Sequence, residues 1–253
     1  MKSLIFGYGV TGQSIGRYLE KKSKAFEIYD ENVKGPNIFN ALPNQKKLNS
    51  YEMVYLSPGI NIKKIYPNGE FNNISYLTDI DIFFQEDKSF KIGITGTNGK
   101  STCCYHLHQL LEESQLVGNI GAPVLDNINS CRYSIIELSS FQLERMQSWR
   151  FEASTILNIS GDHLDRYDSF EEYARVKHRI YENCNWVVYD DNDTIASPKR
   201  SHKQEIAIGA EGLFNIENES IVIGGSNVSA ADIGIVGRHN LFNATVASAL
   251  AYT

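Results

Sequence analysis

The chain has 253 residues, 42% of them hydrophobic and 21% charged, with 19 Gly, 6 Pro and a net charge of −6. That length suits one large domain or two ordinary ones, and the composition excludes collagen-like, low-complexity and disordered chains. The acidic balance argues against sequence-independent nucleic-acid binding, which draws on Lys and Arg, but leaves local anion binding by backbone N–H groups open.

In chain order, Ser3-Leu4-Ile5-Phe6 predicts a buried strand ended by Gly7. Ile15, Tyr18 and Leu19 fall at helical spacing, so a helix is expected over Ser14–Lys22. Ala25–Tyr29 reads as a second strand ending at Asp30, and Met53–Leu56 as a further one, stopped by Ser57-Pro58-Gly59. A small α/β domain is therefore expected over residues 1–89. A second, over 90–253, opens with the strand Phe90–Ile94, a loop Gly96–Thr102 and a helix to about Glu113. Strands are predicted at Ser134–Leu138, Thr155–Ile159 and Trp186–Tyr189, with a helix over Phe170–Tyr181. Alternation of strands and helices predicts a mostly parallel sheet. Short β-type runs from Ile206 to Ile235 predict a meander, and Asn243–Tyr252 a helix.

Cys103, Cys104, Cys131 and Cys184 show no C-x-x-C pair and are expected as reduced thiols. The apolar run before Gly7 is too short for a signal-peptide core, and no run approaches a membrane span, so a soluble cytoplasmic protein without membrane association is expected.

Two glycine loops carry the chemistry. Gly7-Tyr8-Gly9-Val10-Thr11-Gly12 matches G-x-G-x-x-G between a strand and a helix, with Asp30 18 positions after Gly12. That context is the Rossmann fingerprint, with phosphate at a helix N-terminus and a carboxylate for the ligand; NAD, FAD, another nucleotide or a tight turn without ligand all fit it. Gly96-Thr97-Asn98-Gly99-Lys100-Ser101-Thr102 also joins a strand to a helix and ends as a phosphate loop does, although Ile94 stands where the strict pattern has Gly. Its N–H groups would face ATP phosphates, Lys100 would reach the terminal phosphates, and the Ser101 hydroxyl would ligate Mg²⁺.

Thr95–Thr102 resembles the ATP loop of the Mur ligases, the ATP-dependent amide ligases that assemble the peptide of bacterial peptidoglycan; folylpolyglutamate synthase is a relative. Glu137-Leu138-Ser139-Ser140-Phe141-Gln142-Leu143-Glu144 and Asn158–Tyr167, containing Asp162-His163-Leu164-Asp165-Arg166-Tyr167, resemble the branch that adds D-glutamate. Gly237-Arg238-His239-Asn240-Leu241-Phe242-Asn243 resembles the family's adenine-side segment, with Asn240 and Asn243 on the nucleotide. The resemblance implies an N-terminal Rossmann-like domain binding the uridine diphosphate of UDP-N-acetylmuramoyl-L-alanine, not NAD, and a central P-loop ATPase-like domain. Val10, Thr11, Asp30, Ser57 and Gly59 would then face the uridine diphosphate, with Asn119, Ser139 and His163 near the rest of the substrate.

The implied reaction transfers the γ-phosphoryl of ATP to the substrate carboxylate, and the amine of D-glutamate displaces phosphate from the acyl phosphate. Lys100, Glu137, His163 and Lys177 are the implied catalytic residues. Ser101 and Glu137 would hold one Mg²⁺; His163 would ligate a second ion or touch substrate. Lys177 would be carbamylated, since a carbamate offers oxygen ligands where an ammonium repels the metal. Gly161 departs from the larger residue expected before Asp162-His163, and the His163–Lys177 spacing is one residue short. The family's third domain, which binds D-glutamate, is not expected in this chain, which would be a fragment or a natural truncation, monomeric and inactive alone. Other readings are a different Mur-type amide ligase, a non-catalytic UDP-sugar/ATP-binding module, and an NAD-dependent oxidoreductase resting on the first loop only.

Overall fold

Ser3–Phe6 forms β1, buried along its whole length, as a strand covered on both faces must be. In the computed structural model, which describes residues 2–161, 166–210 and 212–253, the chain separates into two units. The first comprises Met1–Asp87, Ala122–Ile128 and Arg145–Trp149; the second comprises Lys88–Gly121, Asn129–Glu144 and Arg150–Thr253. The division at 89/90 read from the sequence does not anticipate the two excursions. Both are held to the first unit by polar contacts, and Val124 and Leu125 of the first excursion are buried as well. Asp126 Oδ1 accepts from Ser14 Oγ at 3.0 Å and Arg17 Nε at 3.1 Å, while Asp81 Oδ1 accepts from Gln147 N and Ser148 N at 2.7 and 3.0 Å.

In the first unit β1 is followed by α1 (Val10–Lys21), β2 (Phe26–Tyr29), β3 (Ile38–Phe39), α2 (Gln45–Leu48), β4 (Val54–Leu56), α3 (Ile62–Ile65), β5 (Tyr76–Leu77) and α4 (Asp79–Glu86). The strands form a parallel sheet in the order β3-β2-β1-β4-β5. The order reverses between β1 and β4, so a crevice opens at their carboxyl ends, where open α/β sheets bind ligands. Leu4, Phe6, Tyr29, Leu56, Tyr66 and Phe71 form the core on one face.

The second unit contains β6 (Phe90–Thr95), α5 (Lys100–Leu110), β7 (Ser114–Gly118), β8 (Tyr133–Glu137), α6 (Ser140–Arg145), β9 (Phe151–Ile156) and α7 (Phe170–His178). It continues with β10 (Cys184–Asp190), β11 (Gln204–Ile208), β12 (Phe214–Glu217), β13 (Ser220–Ile223), β14 (Ser226–Ser229) and α8 (Arg238–Tyr252). Its sheet runs β14-β13-β12-β11-β10-β9-β6-β8-β7. The α/β class with mostly parallel sheets is as expected. The meander is shorter than expected: β11 pairs parallel to β10, and only β12, β13 and β14 alternate direction. β9 spans Phe151–Ile156, not Thr155–Ile159: Leu157 N still donates to Thr95 O at 2.9 Å, but the chain then turns to the loop at Asn158, and the apolar pattern of Leu157 and Ile159 reflects burial outside the strand. α8 starts five residues before the expected Asn243, on the polar Arg238-His239-Asn240 and the apolar Leu241-Phe242. Among the described residues no helix is long and apolar enough to cross a membrane, and all four cysteines are free.

Candidate functional site

In the first unit the G-x-G-x-x-G loop turns β1 into α1, with Gly9 as N-cap and neither a capping side chain nor an acid in the first turn. The N–H groups of that turn are therefore not taken up by a capping side chain. A Cβ on Gly12 would lie 2.0 Å from Gly7 O, so only glycine lets helix and strand approach this closely. Cβ atoms on Gly9 and Gly59, by contrast, would meet nothing within 4 Å, which leaves the mouth of the loop open. Val10 is 71% exposed there and Thr11 half-buried.

Asp30, at the end of β2, accepts from Tyr8 N at 2.6 Å and from Asn32 N and Val33 N at 2.9 Å. Burial pushes its carboxyl up, but the three N–H donors outweigh that and hold it below the usual aspartate value. Asp30 thus stays ionised and shapes the glycine loop itself. Ser57, after β4, donates to Gly7 O at 2.8 Å. All five expected uridine-side residues accordingly sit at the carboxyl ends of β1, β2 and β4 or on the first turn of α1.

In the second unit β6 lies between β8 and β9, so its carboxyl end is again a reversal point. The loop Gly96–Gly99 leaves it there, with Gly99 at φ +82° as the N-cap of α5. A side chain at Gly99 would be strained, and its Cβ would meet Asn243 Oδ1 at 2.7 Å, so Asn243 packs on the loop. Asn158, just beyond β9, holds the loop from below. Its backbone O accepts from Thr97 N at 2.9 Å, its Oδ1 accepts from Asn98 N at 2.9 Å, and its Nδ2 donates to Asn98 O at 3.0 Å.

Glu137 ends β8 in register with Ile94 of β6 and Gly118 of β7, and is 1% exposed. Its Oε2 accepts from Ser101 Oγ at 2.8 Å and its Oε1 from Asn119 Nδ2 at 2.7 Å. The Ser101 hydroxyl and the Glu137 carboxylate are hard oxygen donors side by side at the N-terminus of α5, a set that suits Mg²⁺ and not a soft metal. Among the described residues no three His, Cys, Asp or Glu side chains cluster to hold a metal. A Mg²⁺ held by one carboxylate and one hydroxyl would complete its sphere with phosphate and water oxygens, as that ion commonly does.

Two amines converge on one loop carbonyl. Lys100 Nζ donates to Gly96 O at 3.0 Å and Thr97 O at 2.9 Å, and Lys177 Nζ donates to Gly96 O at 2.9 Å. Lys177 is 2% exposed, although the sequence places it on an ordinary helix. Ser139 caps α6: Gln142 N donates to its Oγ, and its own N donates to Gln142 Oε1. Asn240 donates from Nδ2 to Val236 O at 2.9 Å on the first turn of α8. Thr102 lies half-buried on the first turn of α5. His163 lies outside the described residues. Arg166, which follows it in the same motif, donates from Nη2 to Glu144 Oε2 at 2.9 Å, so the two motif segments read separately in the sequence meet here.

Asn158 and Tyr173 are the residues that sequence reasoning missed. Asn158 stood inside a quoted motif, but its grip on the loop depends on β9 lying beside β6.

Residues 94–251 match the family described as the Mur ligase middle domain. The chain is 32% identical to the UDP-N-acetylmuramoylalanine–D-glutamate ligase of Saccharophagus degradans and 33% identical to that of Teredinibacter turnerae, over 98% of this chain in each case. It spans about 62% of the length of these relatives. Among solved structures, it is similar to the UDP-N-acetylmuramate:L-alanyl-gamma-D-glutamyl-meso-diaminopimelate ligase of Neisseria meningitides, with TM-score 0.62, 15% identity and coverage of 100% of this chain and 93% of that one. The UDP-N-acetylmuramate–alanine ligase of Thermotoga maritima gives TM-score 0.55, 18% identity and coverage of 99% and 64%.

Proposed function

This chain belongs to the Mur ligase family, and from that premise we propose that it is the uridine-nucleotide-binding and ATP-binding part of the ligase that joins D-glutamate to UDP-N-acetylmuramoyl-L-alanine. The observation that carries the proposal is the buried Glu137 carboxylate set between Ser101 and Asn119 at the mouth of the phosphate loop. The backbone N–H groups of Gly96–Ser101 and the N-terminus of α5 would receive the phosphates. Lys100 would exchange the carbonyls of Gly96 and Thr97 for phosphate oxygens, a short swing of a flexible side chain.

Ser101 and Glu137 would hold Mg²⁺, which supplies positive charge as two anionic reactants approach. Asn119, bonded to Glu137, would orient that carboxylate and lie toward substrate. Lys177 offers no ligand as an ammonium; as a carbamate it would add oxygen donors beside the loop, and His163 would complete the substrate side. Asn240 and Asn243 on α8 would take the adenine. The Gly7–Gly12 loop, with Asp30 shaping it, would take the uridine diphosphate. The corresponding enzyme would be a monomeric cytoplasmic ligase whose partners are ATP, Mg²⁺, UDP-N-acetylmuramoyl-L-alanine and D-glutamate.

Calorimetric titration of the 253-residue chain with UDP-N-acetylmuramoyl-L-alanine and with NAD separates this proposal from the dinucleotide alternative. Binding of the UDP compound at least about tenfold tighter than NAD, a difference of about 1.4 kcal/mol, is expected. Tighter NAD binding would overturn the assignment of the first loop.

A further inference from the structure

Tyr173 lies on α7 one turn before Lys177, so the two side chains share a helix face. It is 1% exposed, its Oη lies 3.2 Å from Thr97 Oγ1, and Lys177 Nζ stands 4.9 Å from its ring centroid. The Thr97 hydroxyl donates to Ser160 O at 3.2 Å and accepts from Ser160 N at 3.0 Å. A hydroxyl has one proton. With that proton on Ser160 O, Tyr173 is the donor to Thr97. Asn158 already grips the backbone of the loop at Thr97 and Asn98, so the Tyr173 hydroxyl secures the side-chain side of the same turn. The Tyr173 ring meanwhile covers the amine whose hydrogen bond ends on Gly96 O, one residue earlier in the loop. One side chain therefore touches both partners that must be in register: the loop that would cradle phosphate and the lysine beside it.

We propose that Tyr173 is a positioning residue of the nucleotide site, its hydroxyl fixing the phosphate loop through Thr97 and its ring fixing the Lys177 side chain. This rests on the assignment of that loop to ATP and adds to it the group that sets its geometry. Tyr173 reaches no phosphate itself; it acts through Thr97 and Lys177. A loop that must present several N–H groups to one ligand loses affinity when its anchor loosens, even if the fold is unchanged.

The test uses the 253-residue chain with Mg-ATP in calorimetry, alongside thermal unfolding. Tyr173→Phe keeps the ring and loses the hydroxyl; ATP affinity is expected to fall about fivefold with an unchanged unfolding midpoint. Thr97→Val is expected to fall similarly, the double variant to be no weaker than either single one, and Thr97→Ser to bind as the unaltered chain does. The ring is tested by the rate of Lys177 acetylation with acetic anhydride, mapped by mass spectrometry. That rate is expected to rise in Tyr173→Leu and to stay unchanged in Tyr173→Phe. If the unaltered chain binds Mg-ATP and Tyr173→Phe binds it equally well, or if the two single losses add, the positioning role is overturned while the nucleotide site stands. Equal acetylation in the Leu variant would overturn the ring's part. An unaltered chain that fails to bind Mg-ATP would overturn the nucleotide assignment and this inference with it.

Discussion

Lys100 is half-buried, and its amine contacts are two backbone carbonyls of its own loop. Losing two such neutral-acceptor bonds at a half-buried site costs the fold no more than about 1–2 kcal/mol, whereas losing the charge removes a phosphate partner for which no neutral side chain substitutes. Lys100→Ala is therefore expected to abolish measurable ATP binding in calorimetry while a urea unfolding curve shifts only slightly; unchanged ATP affinity would refute the phosphate-loop assignment. At this scale the sequence was legible wherever backbone geometry dictated the residue. Gly12 and Gly99 are glycines because a Cβ would strike Gly7 O or Asn243, and both stood in motifs that announce such turns. Asn158 and Tyr173 were not legible as site residues, since neither type implies its partner until β9 and α7 lie against the loop.

Among the elements, α4 holds a buried carboxyl that the backbone N–H groups of its own first turn satisfy only in part. Thr78 and Asp81 form a reciprocal cap at its start, and Asp81 also receives Gln147 and Ser148. Asp79, in the same turn, is 4% exposed, and its Oδ1 has no hydrogen-bond partner among the described residues. Burial pushes its carboxyl up from the usual aspartate value to about 6, and the neighbouring Asp81 charge adds to the rise. The folded chain holds this proton up to about pH 6 and the unfolded chain releases it near 3.8, so stability is lost as pH rises between those values. The loss amounts to about 3 kcal/mol for a shift of this size. Asp79→Asn removes the titration. Urea unfolding at pH 4 and pH 7 should show the Asn variant gaining on the unaltered chain by roughly that amount at the higher pH. A pH-independent difference would mean that Asp79 keeps its charge in the fold. Buried carboxylates of this kind are invisible in the sequence, where Asp79-Ile80-Asp81 reads as the polar start of a helix.

For the molecule as a whole, the decisive fact is that this chain matches only about 62% of the length of these relatives. In-line phosphoryl transfer needs carboxylate and γ-phosphate held at near-attack distance, and a closed site protects the acyl phosphate from water. The 253-residue polypeptide by itself is therefore expected to bind Mg-ATP and the UDP substrate but to release no phosphate in response to D-glutamate. A phosphate-release assay checks this, with the remaining portion of a relative supplied in trans as the positive arm. D-glutamate-dependent turnover by the polypeptide alone would show that the acceptor amino acid binds within these residues.

Local stereochemistry and burial determined much of this protein from sequence alone. Strand–glycine–helix junctions at Gly7–Gly12 and Gly96–Gly99, and apolar runs such as Ser3–Phe6, each depend on neighbours a few positions away, so the α/β class and both loops could be read directly. The 1% exposure of Glu137, the return of residues 122–128 and 145–149 to the first unit, the parallel pairing of β11 and the shared grip of Lys100 and Lys177 on Gly96 O were decided only by the tertiary structure. The reason is physical: these features arise between segments tens of residues apart, where strand order and the burial of a polar group in a specific partner's reach, not any local propensity, set the outcome.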